Sequence, residues 1–166
     1  MKRLAQAIQE DSKKAETEWK ASVVWEGGFK SSGMVRGFNA TGSDEPAALG
    51  GTDSAPNPVE QVLAAYGSRL AVGFAAQATM ANVKINALKI EISGKINLST
   101  FLGLNGFDKG QNGNAGFENI QARLNISANA APEILEELLK KVVNTSPVGH
   151  TLSSAVPVTT SLKLTN

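Results

Sequence analysis

Cysteine is absent from this chain of 166 residues. That single absence removes disulfides, thiolate metal sites and every sulfur nucleophile. Histidine occurs once, at His150, so a multi-histidine metal centre is excluded as well. Neither charge sign is in excess: 16 Lys and Arg face 15 Asp and Glu, a net charge of +1. A nucleic-acid surface needs a basic excess or stripe, and none is present. No run approaches the roughly 18 apolar residues of a membrane span. The opening MKRLAQAIQEDSKK has a basic tip, but Gln6, Gln9 and Glu10 interrupt any signal-peptide core, which leaves the cytoplasm as the expected compartment. Expectations at this level are negative: no cofactor, no metal, no nucleic acid and no membrane.

What is present reads as one domain over 1–166, with residues 1–14 as an amphipathic helical arm carrying Leu4 and Ile8 one turn apart. Residues 18–28 alternate, with Trp19, Ala21, Val23 and Trp25 on one side, which predicts a half-buried strand. Gly27-Gly28 turns it into a second strand, FKSSGMVRGF, that carries Arg36. Residues 39–57 read as a long loop. Asn57-Pro58 then opens a helix reaching about Ala81, with Glu60 in its first turn. That helix is apolar almost all round and must be surrounded by protein. A strand with a bulge near Ala87-Leu88 follows, then a glycine-rich hairpin loop over 99–116 and a strand through Ala122, Leu124 and Ile126. The helix APEILEELLKKVV has its acids early and its lysines late, and VPVTTSLKL closes the chain as a strand. The expected class is α+β, in the order β-β-α-β-β-α-β. One sheet and one further helix cannot cover the long helix, so a second copy of the chain is expected to complete the core as an intimate homodimer.

The stretch DEPAALGGTDSAPNPVEQVLAAYGSR, with TFLGLNGFDKG, GFENIQARLNI and SPVGHTL, resembles the OsmC/Ohr superfamily of osmotically inducible and organic-hydroperoxide-resistance proteins. The resemblance covers nearly the whole chain. It implies a long central helix and an intertwined dimer, and a thiol peroxidase in which one cysteine attacks the peroxide and a second resolves the sulfenic acid. This chain departs from that pattern at each reacting position. Ala-Ala-Leu-X-X-Cys is replaced by Ala64-Ala65-Tyr66-Gly67-Ser68-Arg69, and Cys-Pro-Val by Ser146-Pro147-Val148. Phe29 stands where the family's thiolate-stabilising arginine follows the paired glycines, and only the helix-start acid survives, as Glu60. Neither arginine nor serine supplies a nucleophile comparable to a thiolate, so the family's reaction is chemically closed to this chain.

Arg69 is then the residue to explain. A guanidinium cannot shed its charge, so burial obliges it to find a partner. Asp44, Glu45, Asp53 and Glu60 are the candidate acids, and Tyr66 can offer its ring. Two readings stay open: a structural ion pair, or an anion-binding pocket lined by Arg69, Tyr66, Ser68 and Ser146, with Glu60 and Arg36 nearby. The expected function is a dimeric module that binds a small organic or anionic ligand or serves a structural role. An enzyme of another class, a hydrolase or isomerase acting on an anionic substrate, is the alternative, and a link to stress response follows from the resemblance. His150 near Ser146, Ser153 and Ser154 lacks a nucleophile elbow and reads as a surface or capping residue. Gly106, Gly110, Gly113 and Gly116 lack the lysine of a phosphate loop; Asp108, Asn112 and Asn114 lack calcium-loop spacing.

Overall fold

The computed structural model describes residues 2–104 and 115–165, which fall into two compact units meeting in sequence at Pro58 and Val59. Of the hairpin loop expected over 99–116, residues 105–114 lie outside the described residues, with Gly106, Gly110, Gly113, Asp108, Asn112 and Asn114 among them, while residues 99–101 are helical and not loop. In the first unit α1 (Lys2–Glu10) gives the expected arm. Strands β1 (Ser22–Gly27), β2 (Lys30–Met34) and β3 (Thr41–Ser43) form an antiparallel sheet in chain order. The paired glycines make the β1–β2 turn with positive φ at both, a conformation that glycine adopts without strain. Three expectations change here. Trp19 and Ala21 precede the strand, and the apolar side of β1 is not half-buried, since Trp25 remains 73% exposed. Arg36 lies beyond β2 in a turn, with φ 54° and its guanidinium 4.7 Å above the Phe38 ring, because the ladder ends at Met34.

The loop before the long helix is more organised than its composition implied. Asp44 is 1% exposed, and its two oxygens accept from the Glu45, Thr52 and Ser54 amides and from the Thr52 and Ser54 hydroxyls at 2.6–3.1 Å. These bonds hold its carboxyl far below the ordinary carboxylate range, with Thr52 the largest cause.

The second unit is built on α2 (Pro58–Met80), which spans about 34 Å at ~1.5 Å per residue. Its buried row, Leu70, Phe74 and Ala78, runs at four-residue spacing, and Tyr66 extends it at half burial. Two elements cover that row. One is the two-stranded sheet β4 (Ile85–Ile96) and β5 (Phe117–Ala128), through Leu88, Ile90, Leu124 and Ile126. The other is α4 (Pro132–Asn144), whose Leu135, Leu138, Leu139 and Val142 form one helical stripe. Each buried side chain of Leu or Phe size contributes about 1.5–3 kcal/mol. The opposite row of α2, Ala64, Ser68, Val72, Ala75 and Thr79, is exposed within the single chain. The expected bulge is present: Ile85 pairs with Ala128 and Ala87 with Ser127, leaving Asn86 as the extra residue.

A short α3 (Leu98–Phe101) and α5 (Pro147–Ser153) complete the elements. The closing strand is a correction. Residues 155–165 form neither helix nor ladder, and Val158 and Leu162 stand 84% and 86% exposed. An alternating apolar pattern becomes a strand only beside an open edge, and this stretch pairs with none among the described residues.

Candidate functional site

The site grows from the corner where α4 ends and α5 begins. Helix ends leave carbonyls without intrahelical partners, and here most of those described are taken up. Lys141 O accepts from the Thr145 amide and hydroxyl, and Val143 O from the Ser146 amide. Asn144 O meets His150 Nε2 at 2.9 Å. Thr145 O, the last of the series, accepts from Arg69 Nη2 at 3.2 Å. The guanidinium therefore settles against the negative end of the α4 dipole instead of against a carboxylate. Among the described residues the ion pairs are Lys20–Glu18 and Lys89–Glu91, and Arg69 enters neither. Its Nε is buried and has no hydrogen-bond partner.

Ser146, 1% exposed, opens the next helix: its Oγ accepts from the Gly149 amide at 3.0 Å and caps α5. His150 faces Asn144 and not Ser146, so the two make no Ser–His dyad, and the capping reading of the histidine holds. Tyr66 reaches the same corner from α2. A Cβ placed on Gly149 would lie 3.3 Å from Tyr66 Cε2 and 3.1 Å from Ser146 Oγ, so this glycine lets the ring and the serine close on it. Three of the predicted residues, Arg69, Tyr66 and Ser146, thus converge on residues 145–149.

Of the other three, two lie elsewhere on α2 and one belongs to the first unit. Ser68 lines a separate hollow of about 430 Å³ between α2 and β4, with Leu63, Ala64, Gly67, Ala71, Leu88, Ile90 and Ile92. Glu60 lies in the first turn of α2. Arg36 is in the first unit and stacks on Phe38. Of the other acids offered to Arg69, Asp44 is saturated by its own loop, and Glu45 accepts from Asn57 at 3.4 Å. Phe29 covers Gly50, where a Cβ would come within 2.9 Å of its ring.

Tyr66 lines two hollows. One of about 290 Å³ is lined by Tyr66, Val143, Asn144, Gly149, His150 and Ser153. The other, about 360 Å³, shares Tyr66, Gly149 and Ser153 and adds Phe117, Ile120 and Leu152. Arg69 is a wall of neither. Phe117 and Gly149 escaped the sequence reading, though a lone glycine inside a strand pattern, Gly94, signals close approach by a neighbour, and that neighbour is Phe117. Glu91 is the second carboxyl held below its ordinary range, chiefly by Lys89 Nζ at 2.7 Å and then by Asn125. It sits on β4 and lines neither Tyr66 hollow. No described helix is long and apolar enough to cross a membrane, and no cluster of described His, Asp or Glu could hold a metal.

Comparison with known proteins places this geometry. None of the curated proteins matches the chain. Solved structures do match, at identities that speak for the fold alone. An OsmC-like protein from Mycoplasma pneumoniae is 15% identical with a TM-score of 0.68, over 83% of this chain and 89% of that one. An organic hydroperoxide resistance protein OsmC from Legionella pneumophila is 14% identical with a TM-score of 0.58, over 82% and 91%. An organic hydroperoxide resistance protein from Elizabethkingia anophelis, with crystallant-derived thiocyanate bound, is 19% identical with a TM-score of 0.57, over 81% and 89%. A family model described as OsmC-like protein matches residues 51–161, two thirds of the sequence. With that match and the shared α+β fold, the chain belongs to the OsmC-like family.

Proposed function

We propose that this protein is an OsmC-family module without thiol peroxidase activity, a homodimer that holds a small anionic or organic ligand at the α4–α5 corner. Proteins of the same fold are described as conferring organic hydroperoxide resistance, but the sulfur that such a reduction needs is missing from every position of this sequence. One observation carries the reading. Arg69 stands where the family places its attacking cysteine, with Nη2 engaged by Thr145 and with a buried Nε still offering a proton. A carboxylate or phosphate oxygen satisfies such a donor at little cost, whereas leaving it bare costs about 1–3 kcal/mol.

The homodimer is supported by what the single chain leaves uncovered: the outer row of α2, the apolar side of β1, and the alternating valines and leucines of 155–165. Large exposed apolar areas of this kind mark association surfaces. Catalysis of another class draws no such support, because Asp44 and Glu91, the carboxyls held below their ordinary range, line neither hollow beside Tyr66.

Native mass spectrometry of freshly purified protein tests the reading. The expected mass is two chains, with an adduct that Arg69→Gln no longer retains. A ligand-free monomer would reject it. In parallel, cumene hydroperoxide with a dithiol reductant is expected to be consumed at the uncatalysed rate, and any turnover above that would reject the non-peroxidase assignment.

A further inference from the structure

The 360 Å³ hollow beside Tyr66 has two aromatic walls, each seated on a glycine. On one side Tyr66 rests against Gly149. On the other, Phe117 lies across Gly94: a Cβ there would come 2.5 Å from its Cδ1 and 2.6 Å from its Cε1. The strand register explains the seat. Lys95 pairs with Asn119 and Ile96 with Phe117, so Glu118 is an extra residue in β5. A bulge bends its strand and re-aims the neighbouring side chain, here the Phe117 ring onto the bare Gly94 backbone. Ile120 and Leu152 add apolar surface, and Glu118, Asn119, Gly149 and Ser153 complete the wall.

We propose that this hollow is a preformed site for the aryl body of a small uncharged molecule of the phenol or aryl-alcohol class. Two rings lining one hollow, each packed on a glycine, offer stacking and edge contacts at little ordering cost. No described residue hydrogen-bonds the Tyr66 hydroxyl, which leaves it to meet the ligand's own hydroxyl. The charged residue among the walls is Glu118, which disfavours an anion. The volume falls in the lower part of the range of small-molecule sites, and the walls pair the apolar and aromatic surface of Tyr66, Phe117, Ile120 and Leu152 with the polar groups of Glu118, Asn119 and Ser153. The site stands on Tyr66 and Phe117 and is separable from an anion at Arg69.

The test is a ¹⁵N-resolved NMR titration of the intact protein with benzyl alcohol, with benzoate as the charged arm. Saturable shifts are expected at the Gly94, Gly149 and Tyr66 amides, with a Kd on the order of 1 mM, the range open to a fragment of that size. Phe117→Leu keeps the apolar volume but removes the ring, and is expected to weaken binding at least about fivefold. Gly94→Ala should do the same by displacing the ring, and Tyr66→Phe should weaken benzyl alcohol by about threefold or more. Lys20→Gln, in an exposed ion pair of the first unit, should leave it unchanged. Spectra unaltered far from the hollow will show that each variant is folded. Absence of saturable shifts, or binding untouched by Phe117→Leu and Gly94→Ala, overturns the proposal. So does a preference for benzoate that is lost in Arg69→Gln, which would put the ligand at Arg69 and leave the anion reading standing.

Discussion

Two glycines of α2 face neighbours at nearly the same distance, yet alanine at the two positions is expected to act with opposite sign. In a helix interior, Gly→Ala gains about 1 kcal/mol from propensity alone. At Gly73 the new Cβ would lie 2.9 Å from Val142 Cγ1, with Cγ2 and Cβ at 3.7 and 3.8 Å. Carbon atoms prefer about 3.5–4.0 Å, and Val142 cannot yield: it is 1% exposed, and a β-branched side chain in a helix holds one χ1 rotamer. Overpacking of this kind costs about 1–3 kcal/mol, and the rigid neighbour puts it near the top of that range. The net is a loss of about 1–2 kcal/mol. At Gly67 the Cβ would meet only Ile92 Cδ1, at 3.0 Å, the far end of a flexible chain beside an open hollow. A small rotation relieves it, and most of the propensity gain survives. At about 2–4 °C per kcal/mol for a chain of this length, Gly73→Ala should melt roughly 2–8 °C lower and Gly67→Ala about 1–4 °C higher. Circular dichroism melts at one protein concentration measure both, since association makes Tm concentration-dependent. A Gly73→Ala protein as stable as the parent would refute the α2–α4 packing. A Gly67→Ala protein several degrees below it would show that something fills the Ser68 hollow.

Asp44 should make the first unit acid-sensitive. Its folded carboxyl titrates below the ordinary value of 3.8, so the stability it contributes is complete above that value and is lost as pH falls from about 4 toward the lower folded value. The Tm gap between the parent and Asp44→Asn should accordingly be full at pH 7 and begin to shrink only below about pH 4, continuing to fall at every lower pH; a gap that does not vary with pH would show that the five bonds to Asp44 contribute nothing specific to its charge. Arg69→Met keeps the apolar stem and removes the charge. The lost bond to Thr145, about 1.5–3 kcal/mol, is offset by relief of the bare Nε at about 1–3, so urea unfolding of ligand-free protein should move by no more than about 1 kcal/mol. A loss beyond about 3 kcal/mol would mean that Arg69 is one half of a buried ion pair.

The elements legible in the sequence were those whose signal is local. The α2 start at Asn57-Pro58, the α4 stripe, the Gly27-Gly28 turn and the β4 bulge each follow from spacing within a few residues. The closing strand was not legible, because period-two alternation describes a side-chain pattern and says nothing about whether a ladder partner exists. Arg36 was misplaced for a related reason: apolar flanks extended the strand reading past Met34, where the hydrogen bonds stop. Asp44 was seen only as a candidate partner for Arg69. Its donors lie eight and ten residues on, in a loop with no period to expose them. At the site, residue types were readable and roles were not. A charge inside an apolar helix demanded a partner, but the sequence offered only acids, since a helix end does not appear in it as a charge.

That last point bears on the two positions at which the resemblance implies the family's cysteines. Arg69 and Ser146 now serve the same corner from opposite sides: one donates to the last carbonyl of α4, and the other accepts from the first turn of α5. Each task suits the new residue better than the old one. A thiol is a weak donor and a thiolate would be repelled by the negative end of α4, whereas a guanidinium is attracted to it. A serine hydroxyl is among the strongest N-caps, while sulfur is a poor acceptor. Once reduction of peroxide is no longer required of the pair, helix capping can fix both positions independently of it. The α4–α5 corner is then held still, and Tyr66, packed on Gly149 within it, keeps its ring in place where it lines both hollows. Rigid placement of that ring is what a binding site needs.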